Sequence, residues 1–141
     1  MIVKYENSLD VNNKRVLVVG VARSGVAVAR FLSEKGTKVV LTDRKPAEEL
    51  ADTMAELPAG SVQLIAGCYP GFTQEDFDFL VVSPGVPLAV PPIQRALDLG
   101  IPVYGELELA YRFAKTPFVA ITGTNGKTTT TSLVGEIFKN A

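Results

Sequence analysis

Histidine is absent from the 141-residue chain, and with it the commonest metal ligand and general base. Cysteine occurs once, at Cys68, which excludes an internal disulfide and leads us to expect a reducing, cytoplasmic setting. Cys68 itself reads as an ordinary small residue. Charge of one sign is lacking too. Fourteen basic residues against 15 acidic ones leave a net charge of −1, so nothing electrostatic points to nucleic acid or an anionic membrane as partner. No apolar run approaches the ~18 residues needed to cross a bilayer. Met1 to Lys14 carries acidic and polar residues where a secretion signal needs an apolar stretch. Internal repeats and low-complexity tracts are missing as well. What is present, 47% hydrophobic and 21% charged residues, suffices for an ordinary soluble core. The length suits one domain, or one domain and the beginning of another.

Short apolar runs alternate with helical patterns along the chain. Arg15 to Val19 reads as a buried strand ending at Gly20, followed from about Ser24 by a helix with Val28, Phe31 and Leu32 on one face. Lys35-Gly36 closes that helix with a basic turn and a C′ glycine. Lys38 to Thr42 is a second strand ending at Asp43. The next helix, over about 46–57, keeps Ala47, Leu50, Ala51, Met54 and Leu57 together and stops at Pro58-Ala59-Gly60. Val62 to Ala66 and Phe79 to Val82 are the third and fourth strands, the latter running into Ser83-Pro84-Gly85. Pro91-Pro92 opens a helix that Gly100 ends; Pro102 to Tyr104 is a short strand, and Glu106 to Phe113 a helix. Strands that are apolar on both faces predict an α/β fold, a Rossmann-like parallel sheet with helices on both faces. Ligands of such sheets sit at the carboxyl ends of the strands.

Near the C-terminus, Phe118 to Ile121 runs as a predicted strand into Thr122-Gly123-Thr124-Asn125-Gly126-Lys127-Thr128-Thr129, and then into a helix with Leu133, Val134, Ile137 and Phe138 on one face. This is the order strand, phosphate-cradling loop, helix. Gly123 and Gly126 let successive N–H groups turn inward, Lys127 supplies a cation at the β/γ-phosphate position, and the Thr128 hydroxyl suits Mg²⁺. A strict G-x-x-x-x-G-K-[ST] pattern would need glycine at 121, where the chain has Ile121, so the loop is a variant. The alternative is a surface turn with a solvated lysine.

The first sheet carries three further candidate segments, each at a strand end. Gly20-Val21-Ala22-Arg23-Ser24-Gly25 is similar to the dinucleotide fingerprint G-x-G-x-x-G with Ala22 at the middle glycine, which weakens a nicotinamide-dinucleotide reading. Its plain alternative is a tight strand–helix turn, with Ser24 as a helix cap. Asp43 lies where an acid accepts from a ribose hydroxyl, or else caps a turn. Ser83-Pro84-Gly85-Val86-Pro87 is either part of the same cleft or a rigid turn. Glu106 and Glu108 read as a solvated face.

Taken together, Ile121 to Thr129, Val82 to Pro87 and Gly100 to Leu109 resemble the Mur ligase family, and the resemblance covers essentially the whole chain. It is strongest toward members that add D-glutamate. The resemblance implies that residues 1–110 form a Rossmann-like domain binding a UDP precursor, and that 111–141 begin a central ATP-binding domain. By motif, Arg23 and Ser24 would meet the diphosphate, Asp43 and Arg44 the uridine side, and Ser83, Pro84 and Gly85 the same cleft. Gly123, Thr124, Asn125, Gly126, Lys127, Thr128 and Thr129 would bind ATP, with Lys127 catalytic and Thr128 on Mg²⁺. The implied substrates are UDP-N-acetylmuramoyl-L-alanine, D-glutamate and ATP, used by a monomeric cytoplasmic enzyme that makes an amide through an acyl phosphate. Loss of Lys127 from such an enzyme should cost on the order of 3 kcal/mol of transition-state stabilisation. The chain ends before a second metal-binding acid or a D-glutamate site, so no turnover is expected of it alone. A nicotinamide-dependent oxidoreductase, a nucleotide-sensing module and a non-binding scaffold are the competing readings.

Overall fold

The computed structural model describes residues 9–57, 60, 62–116 and 118–140. The expected helix stop at Pro58-Ala59 and the opening residues Met1 to Ser8 lie outside them. The chain divides into two compact units, Ser8–Phe113 and one that contains Ala114–Ala141.

Among the described residues of the first unit there are five strands and four helices, a helix following every strand but the third: β1 (Arg15–Val19), α1 (Arg23–Glu34), β2 (Lys38–Asp43), α2 (Ala47–Met54), β3 (Val62–Ala66), β4 (Phe79–Val82), α3 (Pro91–Asp98), β5 (Val103–Gly105) and α4 (Glu106–Phe113). All neighbouring strands are parallel, in the order β3-β2-β1-β4-β5. The chain thus starts at the centre, winds outward to β3, and returns to pair β4 on the other side of β1. The switch point lies between β1 and β4.

Strand alternation divides the core between the two faces. Val16, Val18, Val39, Leu41, Phe79 and Val81 pack with Val26, Ala29 and Leu32 of α1, Leu50 of α2 and Leu109 of α4. Leu17, Val19 and Leu80 point the other way, onto Ala96 of α3, Phe72 and Ile101. The second face has one helix, and the crossing from β3 to β4 (67–78), which contains no helix, helps to cover it. There Phe72 and Phe77 meet edge-on at 5.4 Å. Burial of β1 on both sides explains why its sequence shows no polar alternation.

Helix ends follow their sequence signals. Gly36 takes φ +79°, and the Gly36 and Thr37 N–H groups donate to Ser33 and Leu32 carbonyls at 3.0 and 3.1 Å, closing α1. Gly100, at φ +69°, closes α3 in the same way, with Ile101 N–H donating to the Ala96 carbonyl. Helix α2 is shorter than the expected 46–57. Only Leu50 of its apolar set is buried.

The second unit departs further from expectation. The predicted strand at 118–121 is reduced to a single bridge at Phe118, and 119–126 has no regular structure. A strand exists only through a neighbour that takes up its N–H and C=O groups, and among the described residues none pairs with 119–122. Helix α5 (Lys127–Lys139) does form, since its bonds are internal, but it buries no residue. Ile137 and Phe138 are 67% and 68% exposed.

Candidate functional site

The three strand-end segments of the first unit are joined by hydrogen bonds. Gly20 follows β1 at φ +107°, donates to the Thr42 carbonyl at 2.8 Å, and leaves no room for a side chain: a Cβ there would lie 2.7 Å from Val86 Cγ2. At Gly25 a Cβ would fall 1.9 Å from the Gly20 carbonyl oxygen. Gly25 is therefore required by the close approach of α1 to the turn, and Gly20 by its positive φ and by Val86 and Ser83 packed against it. Ala22, by contrast, has extended backbone (φ −112°, ψ 177°), which any residue adopts, so the shape of the turn does not require glycine there.

Ser83 is 4% exposed and spans the switch point. Its N–H donates to the Val19 carbonyl at 3.0 Å and its Oγ to the Gly20 carbonyl at 3.1 Å, while its own carbonyl accepts from Val86 N–H. Pro84 and Gly85, the exposed tip of this turn, follow it. On the other side of β1, Asp43 is half-buried; Oδ2 accepts from Val21 N–H at 2.7 Å and Oδ1 from Lys45 N–H at 2.9 Å. Arg44 is exposed beside it.

Helix α1 begins at Arg23 with Ala22 as its N-cap, no side-chain cap and no acidic residue in its first turn. Ser24 is thus not the cap. The first amides of a helix have no intrahelical acceptor, and their aligned dipoles favour an anion. Arg23 is exposed at this end and Ser24 is half-buried.

The sequence reading passed over the 67–72 turn. Gly67 N–H donates to the Lys45 carbonyl at 2.8 Å, and Thr42 Oγ1 lies 3.0 Å from the carbonyls of both Ile65 and Cys68. Partial burial pushes the Tyr69 phenol above its ordinary value, with the Arg44 guanidinium acting against the shift and the Asp43 carboxylate adding to it. A cavity of about 350 Å³ lies nearby, lined by Tyr69, Phe72, Pro92 and Arg95 among others. The run Tyr69-Pro70-Gly71-Phe72 after a strand end was the available signal. Glu108 pairs with Arg112 at 2.8 Å on an exposed face, as expected. Glu106 does not share that face: it is partly buried, and its Oε2 has no hydrogen-bond partner.

In the second unit, Gly123 and Gly126 take φ +149° and +77°, and Gly126 is the N-cap of α5. The Lys127 ammonium folds back to donate to the Gly123 carbonyl, encircling the loop. Thr124, Asn125, Thr128 and Thr129 are exposed. Among the described residues no group of three or more His, Cys, Asp or Glu could hold a metal ion, and no helix is long and apolar enough to cross a membrane.

Fold and strand-end cleft define the first unit as an open, doubly wound α/β domain of the Rossmann type. A family model described as "Mur ligase MurD-like, N-terminal domain" matches residues 14–105, which contain all five strands and the three tied segments. The chain belongs to this family. It is 55% identical over 132 residues to the UDP-N-acetylmuramoylalanine--D-glutamate ligase of Pelotomaculum thermopropionicum, an alignment covering 94% of this chain and 29% of that protein. Against the ligase of the same name from Geotalea daltonii it is 50% identical over 131 residues, 93% of this chain and 29% of the relative. The chain therefore spans about 29% of the length of the curated relatives it matches. Among solved structures, SirC, a precorrin-2 dehydrogenase, aligns with a TM-score of 0.54 at 14% identity, over 98% of this chain and 71% of that one. That likeness concerns the fold alone.

Proposed function

We propose that the chain is the N-terminal part of an ATP-dependent ligase that joins D-glutamate to UDP-N-acetylmuramoyl-L-alanine in peptidoglycan precursor synthesis in the cytoplasm. Residues 1–110 hold the precursor's uridine diphosphate, and 111–141 begin the ATP-binding domain. One observation carries this reading: in a chain of the MurD-like family, the segments Gly20–Gly25, Asp43–Lys45 and Ser83–Gly85 converge at the carboxyl edge of one sheet. The diphosphate meets the open amides at the start of α1 with Arg23 and Ser24, while Asp43, Arg44, Ser83, Pro84 and Gly85 shape the cleft around it.

In the complete ligase the L-alanyl carboxylate attacks the γ-phosphorus of ATP, ADP leaves, and an acyl phosphate forms. The D-glutamate amine then attacks the acyl carbon, loses a proton, and releases inorganic phosphate. Within this chain, Gly123 to Thr129 hold the ATP phosphates. Lys127 exchanges its bond to the Gly123 carbonyl for phosphate oxygens, where its charge counters the negative charge of the transferring group. The exposed Thr128 hydroxyl is a hard, neutral donor of the kind Mg²⁺ accepts alongside water and phosphate. When bound, Mg²⁺ neutralises phosphate charge.

Calorimetry of the 141-residue chain with UDP-N-acetylmuramoyl-L-alanine and with NAD tests the assignment. Binding of the precursor in preference to NAD is expected, with no phosphate release on adding ATP and D-glutamate. NAD binding more tightly would transfer the protein to the oxidoreductases.

A further inference from the structure

We propose that Asp43 is a positioning residue: its carboxylate holds the turn after β1 in the shape that offers the start of α1 to a diphosphate. The inference deepens the precursor-binding reading above and rests on it.

Two successive amides of the turn are bonded to the end of β2. Gly20 N–H donates to the Thr42 carbonyl at 2.8 Å and Val21 N–H to Asp43 Oδ2 at 2.7 Å. From the opposite side, Ser83 Oγ donates to the Gly20 carbonyl at 3.1 Å. The turn is thus held from both neighbouring strands, and N–H groups become available for a ligand only from Ala22 onward. The second carboxylate oxygen, Oδ1, accepts from Lys45 N–H at 2.9 Å and so fixes the turn leaving β2. Each oxygen of Asp43 therefore already has a main-chain donor. A bond from N–H to an ionised carboxylate is about twice as strong as a neutral one. A residue that only read a ribose hydroxyl would not need both oxygens committed to backbone.

Asp43→Asn separates the two roles. An asparagine keeps one acceptor and turns an NH₂ toward the other N–H, so one bond is lost and donor faces donor. If Asp43 shapes the turn, every ligand whose phosphates use the turn suffers alike, with or without a ribose. If Asp43 reads the ribose or base, only a nucleotide suffers, and removing its negative charge leaves a bare phosphate ligand unharmed or better bound.

The experiment is an amide-shift NMR titration of the 141-residue chain and its D43N variant with UDP and with inorganic pyrophosphate. The expected result is that D43N weakens both ligands by the same factor, about tenfold. Exchange of the Val21 amide should accelerate by at least that factor, while the β4 amides keep their protection. Weakening of UDP alone, no weakening of either ligand, or unchanged Val21 exchange would overturn the role. A wild-type chain that binds neither UDP nor pyrophosphate would overturn the functional reading itself, and this role with it. Should D43N fail to fold, D43E retains both acceptors on a longer stem; it is expected to show the same equal weakening, and weakening of UDP alone would again refute it.

Discussion

Two regions of this chain carry nucleotide-type glycine loops, and they stand on different foundations. The loop at Gly20–Gly25 follows a strand buried on both faces, and neighbouring strands hold it through Thr42, Asp43 and Ser83. The loop at Gly123–Lys127 precedes a helix that buries no residue and follows 119–122, which pair with no strand among the described residues. The second has the more specific sequence motif, the first the more complete structure. A glycine turn takes its shape locally, but the elements that hold it rigid depend on burial and pairing supplied by distant residues.

That contrast should appear first in stability. Leu17 is fully buried in β1, and Leu17→Ala is expected to destabilise the chain by about 3 kcal/mol, within the range for core truncations. Ile137→Ala on α5 should stay within ~0.5 kcal/mol, as exposed positions do. Urea unfolding followed by circular dichroism measures both. A cost at Ile137 matching that at Leu17 would mean that α5 shares in the cooperative core.

The next test concerns the glycines. Gly25→Ala forces a methyl against the Gly20 carbonyl and should cost about 2 kcal/mol through displacement of α1. Gly126→Ala meets no atom within 4 Å, so only its φ of +77° opposes the change, at about 1 kcal/mol locally and with little effect on global unfolding. Equal effects of the two on the unfolding midpoint would erase the distinction between the loops.

The smallest effect is electrostatic and confined to the first unit. Asp78, just before β4, is held below its ordinary value by the Arg15 N–H at 2.8 Å, with Lys14 assisting and desolvation opposing. The Thr73 N–H and hydroxyl depress Asp76 in the same sense. Because the folded values are lowered, this stabilisation is present above the unfolded value near 3.8 and is lost as pH falls through the folded value. Urea midpoints should therefore decline as pH drops below about 4, and Asp78→Asn should make the decline shallower. Solvent exposure of both groups keeps the change small.

Much of this was legible in the sequence because its signals are local. Gly36 and Gly100 ended their helices as read, and the β1, β2, β3 and β4 runs formed strands of the expected type. What could not be read depended on partners. The strand over 118–121 required a neighbour that local pattern cannot reveal. The apolar stripe of α2 overstated its burial, since periodicity shows that a face exists and not how much core lies beneath it. Ser83 and Asp43 were visible as polar residues at strand ends, but their bonds to the Gly20 turn come from pairing across 63 and 22 positions of sequence. Ala22 departs from the fingerprint, but its extended backbone shows that the shape of the turn does not depend on a glycine there.

The most direct measurement of the central claim is backbone amide shift mapping of the 141-residue chain with UDP-N-acetylmuramoyl-L-alanine. The account predicts shifts concentrated at Val21–Gly25, Asp43–Lys45 and Ser83–Gly85, with α5 unmoved. Shifts centred on 123–139, or a response confined to residues away from the carboxyl ends of β1, β2 and β4, would contradict it.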